Sequence, residues 1–109
     1  MSKESPIACV MAALDEEQRR RRKELEERLG ASVEEVRELA DGYALRLPAE
    51  SRMVTDAAEF VTYERLCCPF LDFEINVERE GGPLWLRLKG RAGVKEFVRQ
   101  EFGLDDITS

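Results

Sequence analysis

Histidine is absent from the 109 residues. That excludes imidazole acid–base chemistry, any Ser–His or Cys–His pair, and every mixed Cys/His zinc pattern. Long apolar runs are missing as well. No segment approaches the roughly 18 consecutive apolar residues of a membrane helix. The short patch after Met1-Ser2-Lys3-Glu4-Ser5-Pro6 is cut off by Asp15-Glu16-Glu17, so the N-terminus lacks the apolar core of a signal peptide. Positive charge is in deficit: 17 Lys and Arg against 23 Asp and Glu leave a net charge of −6, the wrong sign for holding nucleic-acid phosphates. These absences together predict a cytoplasmic chain with neither membrane nor nucleic-acid partner. No nucleotide-binding glycine loop is present, because Gly81-Gly82 and Gly90 fall at turns. The cysteines number only three, Cys9, Cys67 and Cys68. An odd count in a reducing compartment argues against a disulfide framework.

What is present fits one α+β domain over 1–109, with 1–6 and 104–109 as flexible tails. Ile7-Ala8-Cys9-Val10-Met11 suggests a short strand or an extended arm on the core. Asp15 with Gln18 forms a capping-box start for a first helix ending near Leu29, with Gly30 just past its end. The cluster Arg19-Arg20-Arg21-Arg22 lies among Glu16, Glu17, Glu24, Glu26 and Glu27. It reads as a solvated helix with i,i+4 ion pairs, a phosphate or RNA contact being the alternative. With only Leu14, Leu25 and Leu29 as its stripe, this helix is expected to pack at its C-terminal end and to be mobile at the other.

A weak strand over 33–39 and an Asp41-Gly42 turn lead into Tyr43-Ala44-Leu45-Arg46-Leu47, whose clean alternation puts Tyr43, Leu45 and Leu47 on one face of a strand. Ser51 is the expected cap of a second helix reaching Cys67, with a stripe of Val54, Ala57, Ala58 and Val61 widened by Phe60 and Leu66. Pro69 ends it, since the residue before a proline is pushed out of the helical region. A strand over 70–78 points Leu71, Phe73, Ile75 and Val77 inward. Its return strand does the same with Leu84, Leu86 and Leu88. A final helix carries Val94, Phe97, Val98 and Phe102 and ends at Gly103. The order αββαββα predicts a four-stranded antiparallel sheet with helices on one face. The other face would carry Trp85 among Arg46, Arg87, Glu74 and Asn76, an exposed contact surface for a second copy (a homodimer) or a partner.

The chemistry concentrates at the corner after the second helix. Glu64, Cys67 and Cys68 stand at i, i+3 and i+4, one helical face, but the helix is ending there, so the two sulfurs can converge on one ion or lie apart. A helix C-terminus is the negative end of the macrodipole, and Glu64 adds charge that Arg65 offsets only in part. Such a place raises thiol pKa and suits a nucleophile poorly. The same field favours a cation that deprotonates the thiols as it binds. Thiolates select soft ions, Hg(II), Cu(I), Cd(II) or Zn(II), and by analogy trivalent arsenic. Cys9 as third thiolate would make an S3 site, completed by Glu64 or water, with sulfurs within about 4 Å of each other. Two other readings stand beside this one. All three cysteines can be small core hydrophobes. Alternatively, they can be reactive, through thiol redox or a strained vicinal disulfide, or by cleaving a carbon–mercury bond with Glu64 or Asp72 as the acid.

The segment Tyr63-Glu64-Arg65-Leu66-Cys67-Cys68-Pro69-Phe70-Leu71-Asp72-Phe73, with Trp85-Leu86-Arg87-Leu88 and Gly90-Arg91-Ala92-Gly93-Val94-Lys95 after it, resembles a family of small uncharacterised bacterial proteins. Their pattern is E-x-x-C-C-x-F, a hydrophobic strand pair and a glycine-led final helix, with an Ala-Cys near the start, here Ala8-Cys9. The resemblance spans Cys9 to about Phe102. It implies a link to heavy-metal response and a shared site of Cys9, Glu64, Cys67 and Cys68.

Overall fold

A computed structural model describes residues 5–104. Its elements are helix α1 (Glu16–Ser32), strands β1 (Glu35–Leu39) and β2 (Gly42–Leu47), helix α2 (Ser51–Cys67), strands β3 (Asp72–Val77) and β4 (Leu84–Lys89), and helix α3 (Val94–Glu101). The expected αββαββα order is present. The four strands form one antiparallel sheet in the order β1-β2-β4-β3, so β4 inserts between β2 and the strand that follows α2.

Registry explains the core. Tyr43, Leu45 and Leu47 stand opposite Leu88, Leu86 and Leu84, all buried on one sheet face. They share a cluster with Leu25 and Leu29 of α1, Met53, Ala57 and Phe60 of α2, and Val94 and Val98 of α3. No helix among the described residues is long and apolar enough to cross a membrane.

Several local expectations are corrected. α1 continues through Gly30 to Ser32, and the β1–β2 loop is Ala40-Asp41, because Leu39 pairs with Gly42. Gly42 belongs to β2, where a Cβ would lie 2.0 Å from the Leu88 carbonyl oxygen. Only glycine allows that approach. Ser51 is the first residue of α2 and Glu50 precedes it as cap, without a side-chain hydrogen bond. The buried stripe of α2 is Met53, Asp56, Ala57, Phe60, Glu64 and Cys67, whereas Ala58 and Leu66 face outward. An apolar count misses this stripe because two carboxylates lie on it. In β3, an edge strand, Val77 is exposed.

Trp85 is buried, not exposed. It occupies the outer sheet face between Arg46 and Asn76, and the Arg37 guanidinium lies over its ring, 4.6 Å from the centroid. Leu104, read as tail, is buried as well. The remaining expected tail residues, 1–4 and 105–109, lie outside the described residues, while Ser5 accepts a hydrogen bond from Arg91 through its carbonyl.

The arginine run is the largest departure from expectation. Arg21 pairs with Glu59 of α2 at 2.8 Å, Arg28 with Asp56 at 3.0 Å, and Arg22 with Glu64 at 2.9 Å. Arg19 donates to the carbonyls of Met11 and Leu14. The charged N-terminal half of α1 is therefore fastened to α2 by the Arg21 and Arg22 ion pairs in place of an apolar stripe, and Arg28 adds a third pair in the C-terminal half.

Candidate functional site

α2 delivers three side chains to one buried point. Glu64 and Cys67 lie on its inner face, and Cys68, at φ −126° and ψ 68°, is the first residue out of the helix. Its amide still donates to the Glu64 carbonyl, at 2.7 Å. Pro69 prevents a further turn. Glu64, Cys67 and Cys68 are each 0% exposed.

The fourth side chain arrives from the N-terminus. Residues 5–14 form an arm that ends in a short 3-10 turn, Met11–Ala13. The amide of Val10 donates to the Cys67 carbonyl at 2.7 Å, satisfying one of the carbonyls left free at a helix end. That bond sets Cys9 beside the corner, half-buried. The ligand atoms of Cys9, Glu64 and Cys68 all lie within 4.8 Å of one another. The Cys67 sulfur adjoins this triad, 3.8 Å from the Cys68 sulfur and 3.7 Å from Glu64 Oε1. The four residues singled out in the sequence therefore meet in space. Asp72, the alternative acid, is exposed at the start of β3.

Electrostatics are set by a residue the sequence reading missed. Arg22 of α1 forks onto Glu64, Nε to Oε2 at 3.0 Å and Nη2 to Oε1 at 3.2 Å. It reaches Glu26 at 2.9 Å and lies against the Phe60 ring, 5.8 Å from its centroid. Arg65, expected to offset part of the negative charge, is exposed. A usable signal existed: Arg22 precedes Leu25 and Leu29 by three and seven residues, the spacing of one helix face.

Cys68 Sγ donates to Glu64 Oε1 at 3.0 Å. Burial pushes the Cys68 thiol far above its ordinary range, and Cys9 and Glu64 push it further. Burial also raises the Cys67 thiol, with the Glu64 charge adding to it, and the Cys9 thiol. The metal-free site therefore holds protonated thiols beside the Arg22–Glu64 contact. As a nucleophile it is suppressed. As a ligand set it combines soft sulfurs, one hard oxygen and a fixed counter-charge, an arrangement of Cys, Glu and Cys donors fit for a metal ion. No protein-family model, curated protein or solved structure matches the chain.

Proposed function

We propose that this protein binds a soft metal or metalloid ion in the cytoplasm, with Cys9 and Cys68 as the principal thiolates and Cys67 and Glu64 completing the shell. The observation that carries the reading is the convergence of Cys9, Glu64 and Cys68 donor atoms within 4.8 Å, from two distant segments of the chain. Two sulfurs bound at about 2.3 Å to a tetrahedral ion lie about 3.8 Å apart, which is also the separation of Cys67 and Cys68 sulfurs. Charge supports the same conclusion. A divalent ion that displaces two thiol protons leaves a neutral bis-thiolate, so the dry site gains no net charge beside Arg22 and Glu64. Hg(II), Cd(II) and Cu(I) suit the sulfurs best; Zn(II) would need all four donors. The likeness to small bacterial proteins with the E-x-x-C-C-x-F pattern extends this proposal to them, in a heavy-metal response.

The test is an anaerobic titration of reduced protein with Hg(II), Cd(II) and Cu(I), followed by thiolate-to-metal absorption. One tight equivalent is expected, lost in Cys9→Ser and Cys68→Ser and weakened in Cys67→Ser. Equal binding by wild type and both of the first two variants would end the proposal.

The 3.0 Å contact between Cys68 Sγ and Glu64 Oε1 favours one second reading, cleavage of an alkylmercury cation. Two thiols and the cation would give a mercury bis-thiolate, the alkane and one proton, with Glu64 carrying a thiol proton to carbon. Methane release from methylmercury by wild type but not by Glu64→Gln is the expected result. Absence of methane with mercury bound would leave binding alone.

A further inference from the structure

A cavity of about 250 Å³ opens between α1, the inner face of the sheet and the end of α3. Its walls are apolar, including Leu29, Leu45, Phe60, Leu86, Phe102 and Leu104, and every charged side chain lining it is a carboxylate: Glu26, Glu27 and Glu101. No cysteine lines it, so it is distinct from the thiol site. Arg22 touches Glu26 but is already forked onto Glu64. Glu27 and Glu101 form no ion pair among the described residues. Burial raises the Glu26 carboxyl, Arg22 opposes this, and Glu64 and Glu101 add to the rise. Glu27 and Glu101 thus place negative charge at the mouth that no ion pair among the described residues matches, above a hydrocarbon-lined space.

We propose that this cavity binds a small lipophilic cation: a hydrocarbon body of about eight carbons, sized to the cavity at about 30 Å³ per water-sized unit, bearing an ammonium group. The body would lie against Phe60, Phe102 and the leucines, and the charge among Glu26, Glu27 and Glu101. Charge complementarity selects this occupant over the chain's own continuation. The residues after Leu104 are Asp105 and Asp106, whose charge opposes the carboxylate rim.

The test uses the full chain, titrated separately with octylammonium, 1-octanol and octanoate, and followed by NMR of the Phe60 and Phe102 rings and the Leu45 and Leu86 methyls. Octylammonium is expected to shift these signals and to bind about tenfold more tightly than octanol, with octanoate weaker still. A Glu27→Gln/Glu101→Gln double variant should lose about three- to tenfold in octylammonium affinity, as two surface ion pairs imply. Its octanol affinity should be unchanged, which a damaged fold would not allow. Octanoate binding as tightly as octylammonium would overturn the proposal, as would shifts confined to other residues. An Ile107→Asp variant that bound all three probes more tightly would also overturn it, by making the chain's own tail the occupant. The result is independent of metal binding, and a Cys9→Ser protein should give the same titrations.

Discussion

Replacing Arg22 with methionine would keep most of the side-chain volume and remove the guanidinium that faces Glu64. The Glu64 carboxyl is 0% exposed and receives Arg22 donors at 3.0 and 3.2 Å. Without them it retains the Cys68 and Cys67 thiols at 3.0 and 3.7 Å, and thiols are weak donors. Glu26, the other partner, is 37% exposed and can turn to water. Breaking one side of a buried ion pair costs about 3–5 kcal/mol, whereas replacing both sides with apolar groups is often neutral or stabilising. Arg22→Met is therefore expected to cost about 3–5 kcal/mol. Glu64→Gln should cost about 1–3 kcal/mol, because Arg22 keeps Glu26. Arg22→Met/Glu64→Met should regain most of the loss, a coupling that a double-mutant cycle measures directly. Urea unfolding of reduced, metal-free protein followed by circular dichroism gives the energies. For a chain of this size the single variant should also lower Tm by more than about 12 °C. A loss below about 1 kcal/mol, the worth of an exposed pair, would refute the view that Arg22 is the internal counter-ion of the site.

Three further outcomes follow from the structure. Gly30 sits inside α1 where a Cβ would meet nothing within 4 Å, so Gly30→Ala should stabilise by about 0.5–1 kcal/mol in the same unfolding assay; destabilisation would show that the position is constrained. Burial raises the thiols of Cys9, Cys67 and Cys68. A folded pKa above the unfolded value contributes stability fully present below the unfolded value, near pH 8.5 for a thiol, and lost as pH rises from there through the folded one. Metal-free protein should therefore weaken above about pH 8.5 by up to about 1.4 kcal/mol per pH unit for each thiol, and Cys68→Ala should reduce the slope; a flat profile to pH 10 would contradict this. Arg37 roofs the Trp85 ring at 4.6 Å. Arg37→Ala should thus cost about 0.5–1 kcal/mol and increase quenching of Trp85 fluorescence by the neutral quencher acrylamide, and unchanged quenching would show that Arg37 does not shield the ring.

The element order was legible because period and punctuation agreed: alternation in Tyr43-Ala44-Leu45-Arg46-Leu47 gave β2, and Pro69 closed α2 two residues past its last helical residue, Cys67. The inner stripe of α2 was not legible. Burial of Asp56 and Glu64 depends on arginines supplied by α1, and a polar residue gives no apolar signal of its own burial. Trp85 was misjudged for a related reason. Its neighbours along β4 are Leu84 and Leu86, and the side chain that covers it belongs to β1, two strands away in the sheet.

The candidate site divides in the same way. Local sequence placed Glu64 and Cys67 on one helical face and Cys68 at the corner where Pro69 ends the helix, while the convergence of the two sulfurs was set by how the chain leaves the helix, with Cys68 at φ −126° and ψ 68°. It also determined the soft-ligand character of the corner, because thiol chemistry belongs to the residues themselves. Tertiary structure decided the rest. The Val10–Cys67 backbone bond brings in Cys9, and the packing of α1 on α2 places a buried guanidinium on Glu64. Both depend on contacts between segments distant in sequence, where spacing and composition carry no information about which partners will meet.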